Sequence, residues 1–155
     1  MRKKRAPKRY LQPDPTFGDT FVTKFVNSLM WNGKKSLAYK IFYGALEQVS
    51  ERTKEDGLEV WRKAIANVSP SVEVRSRRIG GANFQIPTEV RPERRMTLAM
   101  KWLIQYSRER NGKNMSDKLA TEIIAASKGE GGAYKKKEDT HRMAEANKAF
   151  SHFKF

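Results

Sequence analysis

The sequence predicts a mainly α fold, a bundle of about six helices with one protruding β-hairpin inserted between the third and fourth helices. Three observations lead there. Apolar residues recur at spacings of three and four in every segment beyond residue 20. That period gives way once, over residues 72–90, to an alternation of apolar and polar residues around the pair Gly80-Gly81. Finally, Gly33, Pro70, Gly112 and Gly129 stand where successive helical periods stop.

Residues 1–12 precede the first period. Arg2, Lys3, Lys4, Arg5, Lys8 and Arg9 carry positive charge there without one acidic residue, so the segment repels itself and is expected to be a basic arm, disordered when free. The single helical domain is expected over 13–155. After Pro13 and Pro15, Asp19 can cap a first helix whose stripe is Phe21, Phe25 and Leu29, flanked by Val22, Val26 and Met30. A second helix is expected from about Ser36 to Arg52, with Leu37, Ile41, Ala45 and Val49 inward, and a third from Leu58 to Val68, carrying Leu58, Trp61, Ile65 and Val68. Pro70 forbids its continuation.

The hairpin follows. Phe84, Ile86 and Val90 are expected on one face, and Pro87, which lacks a ladder donor, suits an edge. Helix returns at Pro92, a residue suited to the first helical position, with Leu98, Met100, Trp102, Leu103 and Tyr106 as its apolar face. A fifth helix begins near Asn114 or Ser116 and uses Leu119, Ile123 and Ala126. Gly131-Gly132 reads as a flexible joint before a last helix from about Ala133 to Phe150. Its lysines then fall at the start, where a helix N-terminus disfavours positive charge. All three Trp lie on apolar stripes and are expected in the core.

The charge balance narrows the function. The 155 residues hold 32 Lys+Arg and 17 Asp+Glu, a formal net charge of +15. An enzyme for small neutral substrates has no use for that excess, whereas a polyanionic partner explains it through phosphate attraction and counterion release. There is no cysteine, hence no disulfide framework, thiol nucleophile or Cys-based zinc site. The two histidines, His141 and His152, lie in no ligand-spaced pattern, and neither a catalytic carboxylate pair nor a nucleophile with its base can be singled out. GEGGAYKKK lacks the spacing and the preceding strand of a phosphate-binding loop. No metal, cofactor or small-molecule substrate is expected, and no apolar run reaches the ~20 residues of a membrane span.

Basic clusters are the signal that remains. Arg75, Arg77 and Arg78 lie on the first hairpin strand and near its turn, and Arg91, Arg94 and Arg95 just after the second strand. Lys34 and Lys35 open the second helix, and Lys135, Lys136 and Lys137 the last. Arginine's planar fork forms paired bonds to phosphate oxygens and stacks on bases. Together with the basic arm, these residues are the expected contacts to nucleic-acid phosphates. Phe150, Phe153 and Phe155, three rings within six residues, suit a protein-docking patch.

Three stretches carry a resemblance. VEVRSRRIGGANFQIPTEV is similar to the hairpin, GKKSLAYKIFYGAL to the second-helix entry and KKKEDTHRMAEANKAFSHF to the last helix of the seventh small-subunit ribosomal protein family of bacteria and organelles. The likeness runs in order from about Leu11 to the C-terminus. Tyr134 stands where an aliphatic residue is commoner, and the chain ends at Phe155 without the tail some relatives carry. The resemblance implies a non-enzymatic, cytoplasmic protein of the ribosome. It implies a primary binder of 16S ribosomal RNA that nucleates assembly of the small-subunit head near the decoding region. It also implies contact with the ninth and eleventh small-subunit proteins, and a hairpin tip (Arg78, Gly80, Gly81, Asn83) close to the exit-site tRNA. The alternative from another class is a DNA-binding regulator with a helix in the major groove. Such a reader needs no Arg-rich ribbon after three helices.

Overall fold

The computed structural model describes residues 9–153. Its elements are α1 (Thr20–Leu29), α2 (Lys35–Thr53), α3 (Gly57–Val68), β1 (Val72–Ile79), β2 (Ala82–Glu89), α4 (Pro92–Glu109), α5 (Met115–Ser127), α6 (Gly131–Ala146) and a closing 3-10 segment, Lys148–Phe153. The mainly helical fold with one hairpin between α3 and α4 is therefore present as the periods require. Asp19 caps α1 by accepting the Phe21 N–H at 2.7 Å, and Asp56 caps α3 by accepting from Leu58 at 3.2 Å.

α5 runs through the middle, packing on α2, α3, α4 and α6. Its Leu119 and Ile123 are fully buried, as are Phe25, Phe42, Trp61 and Leu103 of the other helices. Phe25, Phe42 and Trp61 form a mutual triangle with ring centroids 5.2 to 5.3 Å apart, the tilted and edge-on geometry that aromatic quadrupoles favour. Asp14, buried before α1, accepts the N–H groups of Thr16 and Phe17 and the Tyr43 hydroxyl at 2.6 Å, tying the entry of the chain to α2.

Several expectations change in detail. On α2 the buried stripe is Ala38, Phe42, Ala45, Leu46 and Val49, so Ala45 and Val49 face inward as expected, but the first half of the stripe is shifted by one residue and Leu37 is half exposed. Gly131 and Gly132 are no joint but the first residues of α6. A Cβ on Gly132 would stand 2.5 Å from Cδ1 of Tyr106, so the glycine permits α6 to close on α4. The lysines consequently fall in the second turn of α6, clear of its positive end. The helix ends at Ala146, and the chain tightens into the 3-10 segment that carries Phe150 and Phe153. Of the three Trp, Trp61 is fully buried and Trp102 packs partly against the core, but Trp31 is 71% exposed in the α1–α2 turn. No helix among the described residues is long and apolar enough to cross a membrane.

Candidate nucleic-acid interface

The hairpin is the element that the bundle leaves most exposed. Its two-residue turn places Gly80 and Gly81 at φ 55° and 90°, the left-handed pair that a tight hairpin turn demands. Pairing runs from Val72 opposite Glu89 to Ile79 opposite Ala82. Residues directly opposite share a face, so Glu73, Arg75 and Arg77 lie with Thr88, Ile86 and Phe84, whereas Arg78 and Asn83 lie on the other side. The three hairpin arginines are thus divided between two faces. Only the base is covered: Glu73, Ile86, Pro87 and Val90 are buried, while Ser76, Arg77, Arg78, Gly80, Gly81, Ala82 and Asn83 are exposed.

At that base the two arginine groups meet. Glu73 accepts from Nε of Arg75 at 2.8 Å and from Nε of Arg94 at 2.9 and 3.0 Å, joining β1 to the first turn of α4. Partial burial disfavours the Glu73 charge, but the two guanidinium groups outweigh it and hold the carboxyl below its usual range. Arg95 donates to the Val90 carbonyl at 2.8 Å and pairs with Glu89 at 3.1 Å. Farther out, Arg77 donates to the Phe153 carbonyl at 3.0 Å. The guanidinium groups of Arg78 and Arg91 are exposed and have no partner among the described residues.

The remaining candidates are dispersed. Lys34 and Lys35 open α2 and are exposed, with the Lys35 ammonium 5.8 Å from the Tyr39 ring centroid. Lys135 is exposed and Lys136 half-buried. Lys137 is turned to a structural task, donating to the Asn67 carbonyl at the end of α3 at 2.7 Å, where a helix C-terminus favours a cation. Arg9 is exposed, and Arg2, Lys3, Lys4, Arg5 and Lys8 lie outside the described residues, as does Phe155. Phe150 and Phe153 pack on Phe84 of β2 with ring centroids 5.2 and 5.8 Å away. These two rings therefore cover the outer hairpin on one face, a contact within the chain that the sequence did not reveal.

The profile of the ribosomal protein S7p/S5e family matches residues 1–148. The chain belongs to that family. It is similar to proteins named small ribosomal subunit protein uS7. The one from Cytophaga hutchinsonii is 69% identical, that from Christiangramia forsetii 60% and that from Salinibacter ruber 59%, each alignment covering the whole of both chains. A member of the S7p/S5e family is a ribosomal protein, a structural component of a ribonucleoprotein and not an enzyme. In this member, two carboxylates have roles that the sequence does not reveal. Glu73 occupies a polar position of an alternating strand, yet it bonds two of the arginines. Glu122 of α5, only 1% exposed, binds Arg110 at 2.5 Å and accepts the Ala133 N–H of α6 at 2.8 Å. The one signal for either was an acidic residue amid a strongly basic chain.

Proposed function

We propose that this constituent of the small ribosomal subunit is a primary 16S rRNA binder that nucleates assembly of the subunit head. Exposed cations grip phosphates, and the shape of the bundle and ribbon selects a multi-helix junction. The observation that carries this reading is the ribbon. Its inner half is fixed to the bundle by Glu73, and its outer half extends Arg78 with Arg91 left exposed beside its base. The basic arm adds a second grip, and Lys34, Lys35, Lys135 and Lys136 offer further phosphate contacts. Binding also draws support from the formal charge of +15.

The finer placement follows the family resemblance: the tip around Gly80, Gly81 and Asn83 faces the exit-site tRNA, and the ninth and eleventh small-subunit proteins are neighbours. The C-terminal rings, besides covering Phe84, present edges to such a neighbour. The test is binding of the full chain to a transcript of the 16S rRNA head domain, with Arg78→Ala and Arg91→Ala together and with deletion of residues 1–8. Each change should weaken binding about 5- to 100-fold by loss of charge-assisted bonds and leave the helical circular dichroism unchanged. Wild-type affinity in both variants would refute the ribbon-and-arm grip. Preference for a DNA duplex over the transcript would favour the regulator.

A further inference from the structure

Trp31 is 71% exposed, yet its setting is rigid. The Lys34 N–H donates to the Trp31 carbonyl at 3.0 Å, with Asn32 and Gly33 at φ 50° and 73° between them. That tight turn fixes the Trp31 backbone between α1 and α2. The Arg108 guanidinium lies 4.6 Å from the ring centroid and donates to the Leu29 carbonyl at 3.1 Å. One face of the indole is thus backed by an anchored cation, and the other is left to solvent.

A groove opens beside the ring. Its floor is apolar, made by Leu29, Leu37, Ile41 and Met115, and its rim is cationic, made by Lys34, Arg108, Lys113 and Lys118. No Asp or Glu lines it. Four cations without an anion reject a basic partner and match a polyanion. An exposed flat indole over an apolar floor offers what phosphate neutralisation alone does not require, a surface for a planar ring. Base-aromatic stacking flanked by phosphate contacts is how proteins hold unpaired nucleotides.

We propose that Trp31 is a stacking platform for an unpaired nucleobase of the bound RNA, with Lys34 and Lys113 on the phosphates beside it. This rests on the rRNA-binding reading and adds a site to it. It accounts for an indole in solvent, and for Leu37 and Ile41 lying at the edge of the core stripe.

The experiment titrates the 16S rRNA head-domain transcript into the full chain and its variants Trp31→Ala, Trp31→Phe, Trp31→Leu and Lys34→Ala. Trp31→Ala should bind roughly 5- to 150-fold more weakly, with circular dichroism unchanged and the salt slope of log K unchanged, since no charge is lost. Lys34→Ala should reduce that slope by about 0.7–0.9. Trp31→Phe should keep most of the affinity and Trp31→Leu should behave as alanine. RNA should quench tryptophan fluorescence in the wild type, and far less in Trp31→Phe. Unaltered affinity in Trp31→Ala, beside a wild type that binds, would overturn the platform and leave the rRNA reading standing. Full rescue by leucine would make the contact apolar packing instead of stacking, and would also overturn it. Normal RNA affinity with failure to incorporate a neighbouring protein would assign the groove to an acidic peptide. A wild type that does not bind the transcript would overturn both readings.

Discussion

Burying a carboxylate is costly unless its oxygens are bonded, and Glu122 meets that condition twice. One oxygen takes Nε of Arg110, and the other takes the Ala133 N–H at the opening of α6. A negative charge there also complements the helix dipole. Glu130, the residue in the capping position, supplies no side-chain bond, so α5 provides the cap across space. Replacing Glu122 by Ala should cost about 2–3 kcal/mol in a urea melt, because it strands a buried N–H and half-buried Arg110. Glu122→Gln should recover part of this, keeping an acceptor but losing the charge. Gly132 makes the complementary point: Gly132→Ala forces a methyl group onto Tyr106 and should lower stability by about 1–3 kcal/mol in the same melt. Neither role was visible in the sequence. A glutamate three residues after Leu119 and a Gly-Gly pair before Ala133 take their meaning from α4 and α6, which approach only in the folded chain.

At the scale of elements, periodicity located each helix and the hairpin but not always the facing of a helix. On α2, two interleaved stripes of apolar residues run side by side, and the neighbours α1, α3 and α5 bury Ala38 and Phe42 in preference to Leu37. The Arg-rich clusters were legible because charge needs no phase. That Arg75 and Arg94 share one glutamate was not, because it depends on the hairpin folding back to α4. The shared Glu73 has a pH consequence. Its carboxyl titrates below the usual value of 4.5 in the folded chain, so it binds fewer protons there than when unfolded. Its contribution is complete above the unfolded value and disappears as pH falls through the folded one. The base of the hairpin should therefore lose protection in amide exchange as pH falls below the ordinary glutamate range, by an amount kept small by the half-exposed arginines. Glu73→Gln should remove that pH dependence. The 3-10 segment holds the other end: truncation after Asn147 should speed amide exchange along 76–85 while sparing α1–α5. Slowed or unchanged exchange there would show that the rings of Phe150 and Phe153 do not support the ribbon.

For the whole molecule, the excess of positive charge predicts a salt law. Each neutralised phosphate contributes a slope of about −0.7 to −0.9 to log K against log salt. If the arm, ribbon and helix starts act together, the slope should be −5 or steeper and affinity should fall at least about 10³-fold between 50 and 200 mM salt. Filter binding across that range measures it, and a slope near −1 would confine the contact to a single basic residue. Binding to RNA should also raise the melting temperature, the rise growing with the logarithm of RNA concentration once that exceeds Kd. This scale was the most legible of all, since net charge and the absence of cysteine require no coordinates.

The clasp between Phe84 and the C-terminal rings also sets an order in time. Phe150 is made 66 residues after Phe84, a lag of about 3–13 s at ordinary rates of synthesis. Within that interval α4 and α5 are made and can close the core with α1 to α3, while the far half of the ribbon still has no aromatic cover from its own chain. The hairpin thus matures late, its outer half covered only after Phe150 and Phe153 have been added to the chain.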